Sequence, residues 1–292
     1  MGKRIVITRA AGQGEGLRAE LRNAGARVIE LACVEFRELK DTTDLDHAIR
    51  SLGEFAWILF TSQNAVRFFA RRMRALGLLP AQTAHLHFHV AAIGPATAEA
   101  AANEGFSVDF VPPAGTGRTF AGNFKDCVRS VAGMEMKNPL VNFARDAAGM
   151  KILVPRSDLS LRDHGAADWT EVLEEAGARV APVVAYRTCV PESLAGPAMD
   201  DILRDGADCF IFASPSAFEN FAKAVGADAL RRFSASSVFA AIGPTTAAAI
   251  RSGGFTCAIE ATEPNASTLV EAIGKYFQGS VRSASSQGAS YA

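Results

Sequence analysis

Small hydroxyl residues and glycines follow four short apolar runs of this chain, where helices are predicted to begin. Helix starts of this kind expose unpaired backbone N–H groups and the positive end of the helix dipole, so they attract anions. The chemistry expected there is the binding of an anion. The residues concerned are Thr61, Ser62, Gly94, Thr97, Ser214, Gly243 and Thr245.

Two arginines, Arg9 and Arg156, follow the first apolar run of each half and add a cation to each set of helix starts. Taken singly, a residue such as Ser62 is better explained as a helix cap worth about 1 kcal/mol. Its recurrence at the corresponding place, Ser214, favours a shared anion site. A ligand with many carboxylates, gripped between two lobes, would explain the pattern.

The elements that must position these residues recur along the chain. Ala24–Val28 is repeated identically as Ala176–Val180, 152 residues later, and Ala91–Pro95 is repeated identically as Ala240–Pro244, 149 residues later. A repeat of this length indicates duplicated domains rather than a solenoid.

Each repeat alternates short apolar runs with segments of helical periodicity, for example Leu17, Leu21 and Ala24. This alternation predicts a parallel sheet covered on both faces, and five strands per repeat suit a flavodoxin-like doubly wound sheet. The predicted strands are Arg4–Thr8, Arg27–Val34, Ala56–Phe60, Val90–Ile93, Val108–Val111, Lys151–Val154, Arg179–Ala185, Asp208–Phe212, Ser237–Ile242 and Cys257–Ile259. Polar segments after Val34 and Ala185 are predicted hinges, 132–149 a long loop, and 280–292 a disordered tail.

Composition excludes several classes of function. The 292 residues carry 30 basic and 31 acidic side chains, so charge indicates no nucleic-acid partner. No apolar run approaches the length of a membrane span. The five cysteines are scattered and never form a CxxC pair, so we expect a cytoplasmic protein with reduced thiols. No long apolar stripe is evident, so a monomer is expected.

Three other motifs are set aside. Gly14–Ala19 fits the G-x-G-x-x-A dinucleotide pattern, but five residues separate it from the preceding strand. The three histidines of 85–89 lack a nearby cysteine or carboxylate that would complete a metal site. Arg71–Arg74 lacks the interleaved aromatics of a nucleic-acid surface and is interpreted as a solvated helix end.

Six segments in order resemble the uroporphyrinogen-III synthase family, and together they extend from residue 3 to about residue 277. Each alone is only a strand followed by a cap, so the ordered set carries the specificity. The segments are Ile5–Arg9, Phe60–Val66, Ala92–Thr97, Val184–Thr188, Phe212–Ala217 and Ala241–Thr246.

The resemblance implies a cofactor-free, metal-free lyase that closes linear hydroxymethylbilane to uroporphyrinogen III, inverting ring D through a spiro intermediate. It implies that Tyr186 is the catalytic acid and that the nine residues discussed above bind the substrate. It also implies two flavodoxin-like domains joined by a two-stranded linker. Domain 1 would comprise 1–36 and 190–279, domain 2 would comprise 41–185, and the crossover linkers would be 37–40 and 186–189.

Two alternatives stay open. A two-lobed binding protein or sensor for a carboxylated small molecule would bind without turnover. A nucleotide-dependent α/β enzyme would be stabilised thermally by its nucleotide.

Overall fold

Short strands alternate with helices in the computed structural model of the chain, which describes residues 2–10, 12–83, 88–111, 149–162, 169–175, 177–263 and 265–287. The strands are β1 (Arg4–Ile7), β2 (Arg27–Glu30), β3 (Glu35–Arg37), β4 (Trp57–Phe60), β5 (His89–Ala92), β6 (Lys151–Ser157), β7 (Arg179–Cys189), β8 (Cys209–Phe212), β9 (Val238–Ala241) and β10 (Ile259–Glu260). The helices are α1 (Glu15–Asn23), α2 (Thr43–Arg50), α3 (Gln63–Ala75), α4 (Pro95–Asn103), α5 (Asp158–Arg162), α6 (Trp169–Glu175), α7 (Pro197–Asp205), α8 (Pro215–Ser236), α9 (Pro244–Ser252) and α10 (Ala266–Gln287).

The chain groups into two units. Unit 1 comprises Met1–Glu35 and Cys189–Ala292, and unit 2 comprises Phe36–Thr188. The sheet of unit 1 has the strand order β10-β9-β8-β1-β2, with parallel pairing throughout. The second sheet has the order β3-β7-β6-β4-β5, and its pairs from β7 to β5 are parallel. The prediction of a mixed α/β fold with parallel sheets is confirmed.

Both faces of the unit 1 sheet are covered, as parallel sheets require. On one face, α1 and α10 bury Leu17, Leu21 and Leu269 against β1, β8 and β9. On the other, phenylalanines of β8 and β9 pack against α8, with Phe210 and Phe221 ring centroids 5.1 Å apart.

The unit 2 sheet also separates two cores. Strand alternation puts Ile58 and Leu153 in a core formed with α2, α3 and α4. Trp57 and Val154 point to the other face, where they pack with Leu173 of α6. Successive residues of β4 and β6 thus pack alternately in the two cores.

Several strand boundaries differ from the predictions. The polar segment after Val34 contains β3, a three-residue strand, and the second predicted hinge is the last part of β7. Within the predicted strand Val108–Val111, Phe110 forms only a bridge with Ala91. A short strand whose side chains are mostly polar has no apolar run, so apolar patterns in the sequence do not predict it.

The last helix continues to Gln287, so the backbone of 280–287 is helical where a disordered tail was predicted. Residues 288–292, and 132–148 of the predicted long loop, lie outside the described residues. Within the described part of the chain, no helix has both the length and the apolar character needed to cross a bilayer.

Candidate functional site

Two serines cap helices in the same way in the two units. Ser62 precedes α3 with φ −159° and ψ 155°, and its Oγ accepts the Ala65 N–H at 3.1 Å. Ser214 precedes α8 with φ −160° and ψ 160°, and its Oγ accepts the Ala217 N–H at 3.1 Å. The predicted caps are confirmed, and each places a partly exposed hydroxyl at the carboxyl end of a strand.

Two Gly-Pro pairs start helices without a side-chain cap. Gly94 adopts φ 81° before α4, a conformation that favours glycine, whereas Gly243 is extended before α9. Because proline occupies the first helical position, the next amides of each helix remain as donors. Thr245 is exposed beside one pair, but Thr97 is buried, with 6% of its surface accessible.

Arg9 lies against the start of α1 in unit 1. Gly14 has φ 101°, and a Cβ added to it would lie 3.0 Å from the Cδ of Arg9. The guanidinium Nε is buried without a hydrogen-bond partner among the described atoms. Burial lowers the pKa of Arg9, yet a guanidinium stays protonated at any physiological pH. Arg9 is therefore a cation whose hydrogen-bonding capacity the protein leaves partly unused.

A pocket of about 320 Å³ adjoins Arg9. It is lined by the glycine loop before α1 and by Ser193, Pro197 and Ala198 near the start of α7. Helices α1 and α7 both begin at glycines that provide no side-chain cap. The pocket can accommodate one carboxylate arm of a ligand beside a cation and free amides.

Tyr186 lies near the end of β7 and is enclosed by aromatic rings. Phe68 stacks on it with ring centroids 5.1 Å apart, and Phe36 meets it edge-on at 5.6 Å. The side chain is 6% exposed. Its Oη is 3.4 Å from the Oγ of Ser62, at the outer limit of hydrogen bonding. The structure thus brings together two of the predicted site residues of unit 2.

The environment of Tyr186 keeps its phenol protonated. Burial raises the pKa of Tyr186, and hydrogen bonds with Ser62 and Ser157 partly offset that increase. The negative charge of Asp158 raises the pKa further. A phenol in this setting is a proton donor at neutral pH.

Ser157 and Asp158 were not among the site residues predicted from the sequence. Ser157 caps α5, where its Oγ accepts the Ser160 N–H at 3.2 Å. Asp158 accepts the Thr188 N–H through Oδ1 at 2.8 Å. The signal that identified Ser62 and Ser214, a capping residue after an apolar run, was also present here.

Arg156 is not brought to Tyr186. It follows Val154 by two residues in β6, and Val154 packs on the face of the sheet opposite the Tyr186 core. Alternation along the strand therefore directs Arg156 away from the phenol. The prediction placed Arg9 and Arg156 in equivalent positions, but Arg156 lies within a strand whereas Arg9 follows one.

A pocket in unit 2 is separate from the predicted caps of that unit. It has a volume of about 760 Å³ and extends along α2 and the outer part of β7. Asp158 and Arg187 line it, but Thr61, Ser62, Gly94 and Thr97 do not. Hydrogen-bonding groups converge instead at the Ser62–Tyr186 contact. Among the described residues, no cluster of His, Cys, Asp and Glu is arranged to hold a metal ion.

A family model described as uroporphyrinogen-III synthase HemD matches residues 15–271, which include parts of both units. The chain belongs to the uroporphyrinogen-III synthase family. The resemblance inferred from the sequence motifs is therefore confirmed.

Curated members of the family are similar over most of their length. The uroporphyrinogen-III synthase of Synechococcus elongatus is 28% identical over 250 residues, covering 84% of each chain. That of Chlorobaculum parvum is 26% identical over 279 residues, covering 95% of each chain. A crystal structure of a mutant uroporphyrinogen III synthase from Thermus thermophilus superposes with a TM-score of 0.59 at 17% identity. It covers 95% of this chain and 99% of its own, and it supports the α/β fold.

Proposed function

We propose that this chain is a uroporphyrinogen-III synthase, a lyase that converts linear hydroxymethylbilane to uroporphyrinogen III in porphyrin and haem biosynthesis. The observation that carries the proposal is the family match over residues 15–271. Relatives that bear this name are similar to the chain over 84–95% of its length.

Tyr186 is the proposed acid. It protonates the terminal hydroxyl of the bilane, which leaves as water, and the pyrrole that carried it becomes an electrophile. Ring D attacks through its substituted carbon to form the spiro intermediate, which reopens and recloses with ring D inverted. Loss of a proton completes the ring and restores the phenol, so the net change is loss of one water. The position of its protonated hydroxyl, 3.4 Å from Ser62 Oγ, supports this role.

Donors in both units are proposed to bind the acetate and propionate arms of the substrate. Arg9 and the caps around Ser214, Gly243 and Thr245 belong to unit 1, and those around Thr61, Ser62, Gly94 and Thr97 belong to unit 2. Arg156 is proposed to contact an arm on its own face of the second sheet. Most of the rate enhancement would come from holding a flexible substrate in the one geometry that inverts ring D.

We further propose that each unit is a flavodoxin-like domain, that residues 37–40 and 186–189 form a two-stranded linker, and that the protein acts as a cytoplasmic monomer without a cofactor. Numbered along the chain of unit 1, its strand order corresponds to the 2-1-3-4-5 order of flavodoxin-like sheets. Light scattering at several concentrations tests the monomer, because a constant mass of 30.8 kDa is expected.

The deciding experiment is an isomer assay on freshly prepared hydroxymethylbilane, with the oxidised products separated by chromatography. Unassisted closure is expected to yield the type I ring, so a type III excess that scales with enzyme concentration establishes the activity. Type I product alone, formed at the rate of a blank, would reject the enzyme and favour the two-lobed binding protein. Stoichiometric binding of the bilane without turnover would then identify that alternative.

A further inference from the structure

Strand β7 contains one extra residue relative to β6, immediately before Tyr186. Arg156 lies opposite Val184, but the next residue of β6, Ser157, lies opposite Tyr186. Ala185 therefore has no partner in the register. One unmatched residue on one strand of a pair is a β-bulge, and bulges redirect the side chains that follow them.

The bulge determines the face of the sheet on which Tyr186 packs. Val183 and Ala185 both belong to the core formed with α2, α3 and α4. In a regular strand the residue after Ala185 would point to the opposite face, towards Trp57 and its neighbours. Tyr186 instead belongs to the same core as Ala185. If β7 kept Ala185 and alternated regularly, without a bulge, the phenol would point away from Ser62.

One side chain holds the backbone just beyond the bulge. The Asp158 carboxylate accepts the N–H of Thr188, two residues after Tyr186, at 2.8 Å. Asp158 opens α5 directly after β6, so its position is tied to the strand against which the bulge forms. Hydrogen bonds from an amide to an ionised carboxylate are stronger than those between neutral groups.

We propose that Asp158 is a positioning residue: by holding the β7 backbone after the bulge at Ala185, it aims the Tyr186 hydroxyl at Ser62. The inference rests on the proposed function, in which Tyr186 donates the proton. Asp158 itself is not required to contact the substrate. Its role is to keep the phenol on the face where the α3 cap lies.

Two substitutions at one position separate geometry from charge. Asp158→Ala removes both the acceptor and the charge, whereas Asp158→Asn keeps an acceptor oxygen and removes only the charge. Asp109→Ala is the matched control, because Asp109 accepts the Val90 N–H at 2.8 Å at the opposite end of the same sheet. Thr188→Pro removes the donor while leaving Asp158 intact.

We expect Asp158→Ala to lower kcat about tenfold with KM within about twofold, because misplacing an acid slows the chemical step more than binding. Thr188→Pro should reproduce that loss, which keeps the test decisive if the alanine variant does not fold. Asp158→Asn and Asp109→Ala should stay within about twofold of the wild type. An unchanged kcat in both Asp158→Ala and Thr188→Pro would overturn the proposal, as would an asparagine variant as slow as the alanine variant.

A spectroscopic readout checks that charge alone does not explain the loss. The ionisation of Tyr186 is followed by the ultraviolet absorbance of phenolate, as the difference between each protein and its Tyr186→Phe form. Both Asp158 variants should lower the pKa of Tyr186, because the negative charge that raises it is gone. Similar pKa decreases accompanied by different kcat values would support positioning. A kcat that follows the pKa in both variants would contradict it.

Amide hydrogen exchange at Thr188 tests the backbone contact without any substrate. Exchange should accelerate in Asp158→Ala and remain slow in Asp158→Asn, because only the first variant lacks an acceptor. Unchanged protection in Asp158→Ala would overturn the positioning role. A wild-type protein that forms no type III product would instead reject the proposed function, and the exchange result would stand independently.

Discussion

At the scale of single residues, Tyr186 combines a buried ring with a hydroxyl directed at another hydroxyl. Its phenol lies 3.4 Å from Ser62 Oγ. The ring is held by Phe36 and Phe68, so removing only the oxygen leaves the packing intact. This arrangement allows the chemical and the structural contributions of Tyr186 to be separated.

We expect Tyr186→Phe to lower turnover roughly ten- to a hundredfold while the fold stays intact, because a general acid contributes on that order or more. Steady-state kinetics with thermal unfolding of the same preparations provides the measurement. Tyr276→Phe is the control, since Tyr276 is 39% exposed on α10. Unchanged turnover in the Tyr186 variant would remove this residue from the mechanism.

We expect Cys33 to make the stability of unit 1 sensitive to alkaline pH. Burial raises the pKa of its thiol from 9.0 to about 12. The unfolded chain therefore loses this proton at a lower pH than the folded chain. The contribution of Cys33 to the free energy of unfolding is fully present below about pH 9 and is lost as the pH rises to about 12. Three pKa units correspond to about 4 kcal/mol at the upper limit.

The free energy of unfolding, measured with urea at a series of alkaline pH values, should decrease less steeply in Cys33→Ala than in the wild type. Groups that titrate alike in both proteins contribute equally to the two slopes of unfolding free energy against pH, so their contributions cancel in the comparison. Parallel slopes would show that the Cys33 thiol does not control the alkaline response.

At the scale of secondary-structure elements, the serine caps set where helices begin. Ser214→Ala removes the acceptor for the Ala217 N–H and should cost about 1 kcal/mol of stability. Thr245→Ala is the control, since Thr245 is exposed and makes no cap for α9, so a change within about 0.5 kcal/mol is expected. Urea unfolding of both variants provides the measurement. Equal effects would contradict the capping role.

Two glycines at the start of α1 should respond oppositely to alanine. Gly14 has φ 101°, and a Cβ there would meet Arg9 Cδ at 3.0 Å, so Gly14→Ala should destabilise by about 1–2 kcal/mol. Gly16 lies inside the helix with no atom within 4 Å of an added Cβ, so Gly16→Ala should stabilise by about 0.5–1 kcal/mol. Thermal unfolding of both variants tests the pair. Stabilisation by alanine at both positions would show that Gly14 is not strained.

At the scale of the whole molecule, the units do not coincide with the sequence repeats. Unit 2 is one continuous segment, Phe36–Thr188, whereas unit 1 combines Met1–Glu35 with Cys189–Ala292. The first repeat, residues 1–150, lacks β6 and β7, which pair with β4 and with each other. A fragment cut at the repeat boundary would therefore expose the edge of β4 and part of two cores.

We expect Phe36–Thr188 expressed alone to unfold cooperatively on heating, while a fragment of residues 1–150 should lack a cooperative transition. Circular dichroism during thermal denaturation compares the two fragments directly. Cooperative unfolding of 1–150 alone would contradict the division into these units.

Much of the fold and part of the site could be predicted because their signals are local. Ser62 and Ser214 are recognisable as caps from a capping residue after an apolar run, and both caps formed. Strand β3 was missed because its polar residues carry no apolar alternation. The end of β7 was interpreted as a hinge for the same reason.

The sequence by itself determined the parallel α/β class, the positions of most strands and helices, and the family, since periodicity and ordered motifs are properties of contiguous residues. The family resemblance implied the division into two domains, but only the tertiary structure decided the order in which the strands pair and the face on which Tyr186 lies. Both depend on pairing between distant segments: β1 joins β8 across some 200 residues, with Ile5 opposite Cys209. The bulge at Ala185 exists only relative to β6, so no pattern within β7 could reveal it.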